Sequence, residues 1–294
     1  MTFPHMHPGQ WPDKILPSRF ASSIRRNEPS GCQVALIGIP DDTGVKLNNG
    51  RPGAAEGPNA IRAALSRYGV AKPGGWDWPI VYDAGDVAVV PGNLEQTHSH
   101  VTEAVQAVVA AGLFPIGIGG GHDLTFPFVR GAAKGATTTP WHGVYFDPHL
   151  DVRETPGSGM PFRKLIETSV ADALTIVGFQ PLANTHDHVE WFRSHGGLIS
   201  QDKPEAPWPD RETFVSFDMD VLDQACAPGV SALNPCGWTP TIAERWVATA
   251  GRNPRVRCFD IMELSPPNDP SGHTARLAAH LLLCFLHAYT ERST

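Results

Sequence analysis

The chain has 294 residues, of which 41% are hydrophobic, and carries a formal charge of −7 from 23 basic and 30 acidic side chains. That balance suits a protein with a large core and argues against nucleic acid or an anionic membrane as partner. Its five cysteines, Cys32, Cys226, Cys236, Cys258 and Cys284, are odd in number and widely spaced, so reduced thiols in a cytoplasm are expected.

Residues 1–30 carry Pro, His and Trp without periodicity and are expected to form an irregular N-terminal arm. His5 and His7 there are read as part of a solvated tail in preference to a metal tract. The start MTFPHMHPGQW lacks the basic segment and apolar core of a signal peptide. Residues 31–294 are expected to form a single domain.

That domain opens with QVALIGIP (33–40), a run of the kind that makes a strand buried on both faces. A glycine-rich loop (41–57) follows, and Pro58 marks the first turn of a helix reaching about residue 68. PIVYDAGDV (79–87) is a second strand, and 94–111 a long helix on which His98 and His100 read as surface residues. In LFPIGIGGGHDLTFP (113–127) a strand ends in three glycines, which permit positive φ and close backbone approach. The loop could be a tight turn or a phosphate cradle; the better reading is that it lets His122 lie under a neighbouring strand end.

The central stretch is VYFDPHLDVRE (144–154), where a strand runs into Asp147, His149 and Asp151 at alternate positions. In extended chain that spacing places all three on one face. Two carboxylates beside an imidazole then call for a cation, although a polar strand end would look the same. ALTIVGF (173–179) and GGLIS (196–200) are further strands, and His186, Asp187 and His188 read as a helix cap between them. TFVSFDMDVLD (213–223) repeats the theme with Asp218 and Asp220, and RVRCFDIMEL (255–264) brings Asp260 and Glu263 to another strand end. The most apolar stretch, 277–289, is too short to span a membrane and contains two histidines, so it reads as a buried helix.

Strands and helices alternate throughout, the pattern of a mostly parallel sheet covered by helices on both faces. Ligands of such sheets bind beyond the carboxyl ends of the strands, so His122, the DxHxD trio, the DxD pair and Glu263 should converge. Six oxygen and imidazole ligands without thiolate suit Mn2+ or a similar ion better than structural zinc. Four carboxylates carry charge enough for two divalent ions, which activate water against an electron-poor carbon.

GGGH (119–122), DPHLD (147–151), SFDMD (216–220) and DIMEL (260–264) resemble, in order, the four motifs of the arginase, agmatinase and formimidoylglutamase superfamily. The resemblance implies a three-layer α/β/α fold and two Mn2+ ions. It places His122, Asp147, Asp151 and Asp218 on one ion and Asp147, His149, Asp218 and Asp220 on the other, with Asp147 and Asp218 as bridges. Glu263 matches the acid that receives the substrate's amidine or guanidine nitrogen, and Asp151 would pass a proton to the leaving amine.

Within the superfamily, GVKLNNGRPGAAEGP (44–58), GSGMPFRKL (157–165), APGVSA (227–232) and DPSGHTARLAA (269–279) are most similar to formimidoylglutamases. Arginases and agmatinases usually carry a histidine where this chain has Ser158-Gly159. Pro148, Asp123 and Ser265 depart from the usual pattern beside the ligands without removing one. The implied reaction is hydrolysis of N-formimidoyl-L-glutamate to formamide and L-glutamate, by a cytoplasmic homo-oligomer. The alternatives are a guanidino-acid hydrolase releasing urea and an inactive metal-binding partner subunit. An acidic chain that binds a dicarboxylate needs local cations, for which bidentate arginine is suited; the candidates are Arg153 first, then Arg163 and Arg51, with Ser158 and Gly159 beside them.

Overall fold

A computed structural model of the chain describes residues 3–71, 78–136, 140–200 and 208–292. Its strands are β1 (Met6–His7), β2 (Val34–Gly38), β3 (Val81–Val87), β4 (Phe114–Ile118), β5 (Trp141–Phe146), β6 (Ala171–Val177), β7 (Gly197–Ile199), β8 (Thr213–Asp218) and β9 (Val256–Met262). They form one sheet in the order β1-β3-β2-β4-β9-β8-β5-β6-β7. Every pairing is parallel except that of β1 with β3.

Alternation along each strand builds two cores, because successive side chains point to opposite faces. On β2, Val34 and Leu36 enter one core and Ala35 and Ile37 the other. Val215 and Phe217 of β8 likewise oppose Phe214. Helices α2 (Gly57–Leu65), α7 (Pro240–Arg252) and α8 (His273–Tyr289) close the first core through residues such as Ile61, Trp246 and Leu282. Helices α3 (Leu94–Ala110), α4 (Thr125–Gly135), α5 (Pro161–Glu167) and α6 (His186–Ser194) close the second through Val105, Phe128, Phe162 and Phe192. The short α1 (Thr43–Leu47) lies in the loop after β2. The result is the expected three-layer α/β/α arrangement.

The sheet order matters more for function than the layering. β4 and β5 are consecutive in the chain, yet β9 and β8 lie between them. The four strands that carry the motifs are thus adjacent, β4-β9-β8-β5, at the point where the connections change direction.

Two expectations change. The described part of the arm is docked at a few points while His7 and most of its residues stay exposed: Phe3, Phe20, Ala21 and Ile24 are buried, and Met6 and His7 pair with Val87 and Asp86. The Trp11 indole donates to Asp83 at 2.5 Å. The same carboxylate receives the fully buried Arg62, which also pairs with Asp86. These apolar residues fill separate gaps, so they leave no period in the sequence. In the second change, Thr185 caps α6 and its side chain accepts from the His188 amide, so the 186–188 cluster lies inside the first turn and does not cap it.

Candidate metal centre

Asp147 and Asp218 stand at the ends of adjacent strands and make the same local turn. Oδ1 of Asp147 accepts the His149 amide at 2.6 Å, and Oδ1 of Asp218 accepts the Asp220 amide at 2.8 Å. Such Asx turns are a common use of aspartate where a strand gives way to a loop. The trio at 147, 149 and 151 is therefore not arrayed on a strand face, because β5 ends at Phe146. Asp151 has φ +48°, a left-handed conformation that returns its carboxylate to the cluster.

His122 arrives from the β4 end. Gly119 and Gly120 have φ of +76° and +86°, and a Cβ on either would strike Pro58 or the Ile39 carbonyl. The amides of Gly119, Gly120 and Gly121 donate to Ile261, Ala54 and Asp41 carbonyls, so the loop is no phosphate cradle. Nε2 of His122 lies 3.0 Å from the Ser216 hydroxyl, which donates to Asp260 Oδ1 at 2.5 Å. This leaves Nδ1 facing the carboxylates. The His122 amide donates to Oε1 of Glu263 at 2.8 Å; Glu263, at φ +67°, holds its other oxygen buried with no hydrogen-bond partner.

The ligand atoms fall into two groups that share Asp147. In the first, His122 Nδ1 lies 3.1 Å from Asp147 Oδ2, 3.0 Å from Asp151 Oδ2 and 3.0 Å from Asp218 Oδ2. In the second, His149 Nδ1 lies 3.3 Å from both Asp147 Oδ1 and Asp220 Oδ2. Asp218 belongs to the first group only. All six residues taken from the motifs are thus brought together.

This donor set fits divalent cations. One imidazole proton cannot serve three carboxylates, and Asp147 Oδ2 and Asp220 Oδ1 are buried without a hydrogen bond. Burial first, then the neighbouring carboxylates, raises Asp147 and pushes Asp218 up to about 7; burial likewise raises Asp220 despite His149. Burial opposes charge on His122 and His149, yet the facing carboxylates, Asp218 and Asp220 foremost, hold both well above the ordinary histidine value. So much shared negative charge in a buried site is relieved by a cation.

A cavity of about 150 Å³ opens onto the cluster, lined by His122, His149, Asp151, Asp218, Asp220 and Glu263 together with Asn48, Arg153, Ser158 and Ser231. Burial, then Asp218, raises the Glu263 carboxyl well above its usual range. Arg153 is the one arginine of the lining, and a Cβ at Gly159 would crowd its side chain. The other two candidates are corrected. Arg163 pairs with Glu167 at 2.7 Å and lies over Trp191, while Arg51 donates to the Ser231 and Val230 carbonyls. Neither lines the cavity.

Asn48 and Ser216 are site residues that sequence reasoning missed, although both lie inside quoted motifs. Asn48 donates to Ser158 Oγ at 2.9 Å and accepts from Arg153 at 3.4 Å. His98, read as a surface residue, is buried and lies 3.0 Å from Asp123, the residue after His122. Of the remaining departures, Ser265 donates to the Pro52 carbonyl and accepts from Asn268, which fastens two loops, and the Pro148 carbonyl accepts from Gln180 and Asn184.

Residues 32–288 match the Arginase family. The formimidoylglutamase of Rhodococcus jostii (strain RHA1) is 34% identical over 279 residues, covering 87% of this chain and 85% of the relative. A mitochondrial guanidino acid hydrolase of Homo sapiens is 33% identical over 294 residues, covering 92% and 82%. A crystal structure of Trypanosoma cruzi formiminoglutamase with two Mn2+ ions superposes with a TM-score of 0.85 at 29% identity, covering 94% of this chain and 99% of that one.

Proposed function

Since the chain belongs to the arginase family of hydrolases, we propose that it cleaves the formimino C–N bond of N-formimidoyl-L-glutamate, using Mn2+. Water supplies the oxygen of formamide, and the freed amine becomes that of L-glutamate. The observation that carries this reading is the polarity of the cavity lining, which holds both an unpaired buried Glu263 oxygen and one arginine, Arg153. A substrate that is a cationic amidine at one end and a dicarboxylate at the other matches that polarity.

His122, Asp147, Asp151 and Asp218 would hold one ion and Asp147, His149 and Asp220 the other. Bound there, the ions would lower the pKa of water to near neutrality and polarise the carbon it attacks. Glu263, its Oε1 anchored by the His122 amide, receives the amidinium N–H groups on Oε2 and fixes the carbon over the cluster. Asp151, half-buried in the lining, takes the proton released by the water and passes it to the leaving amine nitrogen, without which the amine would depart as an anion.

A guanidino-acid substrate is the second reading, favoured by the 33% identity to the human guanidino acid hydrolase. Product identity separates the two: Mn2+-loaded protein given formimidoylglutamate should release formamide, whereas urea from a guanidino acid, with no formamide from formimidoylglutamate, would replace the first reading by the second. The complete ligand set speaks against an inactive partner subunit. A cytoplasmic location is part of the proposal, supported by five unpaired cysteines; among the described residues no helix is long and apolar enough to cross a membrane.

A further inference from the structure

A second group of ligand-type side chains lies away from the cavity, between α7 and α8. His280 and Cys284 are one turn apart on α8 and so share a face, and Glu244 meets them from α7, which packs against α8. His280 Nε2 lies 3.5 Å from Cys284 Sγ and 3.5 Å from Glu244 Oε2. One donor atom from each of the three residues lies within 4.8 Å of the others.

Hydrogen bonding does not account for this convergence. The nitrogen carries either a proton or a lone pair, so it can bond one of its two neighbours, and the separation from oxygen exceeds the normal range. The two separations from His280 instead match those of a coordination sphere. Tetrahedral zinc, with bonds of about 2.3 Å to sulfur and about 2.0 Å to nitrogen or oxygen, separates S from N by roughly 3.5 Å and N from O by roughly 3.3 Å.

We propose that Glu244, His280 and Cys284 form a second metal site, for a thiophilic divalent ion such as Zn2+, with water as fourth ligand. The set differs in kind from the centre described above, since thiolate and imidazole favour zinc and its chemical neighbours, whereas carboxylate-rich sites suit manganese. Glu244 is exposed and His280 half-buried, which leaves the ion a path of entry and a place for its water. Burial, then Glu244, pushes the Cys284 thiol up to about 12, so without a metal it stays protonated and unreactive; a bound ion takes the place of that proton. Occupied, the site ties the last helix of the chain to α7.

Co2+ added to the Mn2+-loaded protein tests this, because a near-ultraviolet thiolate-to-cobalt band cannot come from the nitrogen and oxygen ligands of the other centre, whatever exchange occurs there. One such band per chain is expected, bleached by Zn2+. It should be lost in Cys284→Ala and in His280→Gln, and Glu244→Gln should need at least about tenfold more Co2+ to develop it. Circular dichroism without added Co2+ establishes that each variant is folded, and His280→Gln, at a half-buried position, serves should Cys284→Ala not fold. Absence of the band in the unaltered protein, or its survival in folded His280→Gln or Cys284→Ala, overturns the assignment.

Discussion

Asp260 accepts the hydroxyl proton of Ser216 at 2.5 Å, which fixes the Ser216 oxygen beside Nε2 of His122, 3.0 Å away. The two residues are register partners on β8 and β9, so the sheet itself aims the imidazole. Partners behind a metal-binding histidine set its tautomer and orientation, and losing them typically costs about 10- to 100-fold in metal affinity. Ser216→Ala should therefore weaken Mn2+ binding by that order while leaving the fold intact. Mn2+ titration followed by electron paramagnetic resonance measures it, and unchanged affinity would show that Ser216 only packs there.

His149→Ala should lose one of two ions and nearly all activity, because His149 supplies the only nitrogen of the group with Asp147 and Asp220. Elemental analysis that still found two ions in the variant would sink the assignment. His98→Ala is no inert control, since it would strip the buried Asp123 of its partner, a loss that typically costs about 3–5 kcal/mol.

Glu263→Gln keeps an acceptor for the His122 amide and removes the charge. Hydrogen bonds to charged groups contribute about 1.5–3 kcal/mol, so kcat/KM should fall by roughly 10- to 100-fold with metal content unchanged. Kinetics equal to the unaltered enzyme would mean that the amidine does not reach Glu263.

Arg153→Met should raise KM for formimidoylglutamate at least about tenfold, equivalent to about 1.4 kcal/mol, with metal content unaltered and a neutral-tailed amidine much less affected. Arg163→Met should change neither, because that guanidinium is engaged by Glu167 and Trp191. Equal losses on both substrates would make Arg153 a support of the loop and no reader of carboxylates.

Without ions the cluster carries carboxyls held above their unfolded values, Asp218 at about 7. A raised folded pKa means the folded chain binds the proton more tightly, so this contribution to stability is present at low pH and fades as pH rises from about 4 towards 7. Ions compete with those same protons. The Tm increase produced by Mn2+ should thus be larger at pH 8 than at pH 6. A rise of equal size at both would show that ion binding displaces no proton from the cluster.

The sequence alone determined the alternation of strands and helices, the burial of both sheet faces and the six candidate ligands, since each rests on chain-local pattern: continuous apolar runs on strands, glycines before His122, aspartates two apart. Its errors were equally local in origin. His98 reads as surface because nothing near it in sequence announces Asp123, 25 residues on, and the points at which the arm docks go unseen because scattered apolar residues have no period. Only the tertiary structure decided that β9 and β8 insert between β4 and β5, that Asp151 turns back through a left-handed φ, that Ser216 supports His122 across 94 residues, and that Arg153 and not Arg163 lines the cavity. These depend on which distant segments meet. A chain-local period cannot encode that, because the energy selecting one strand order is spread over both cores and appears only when both are packed.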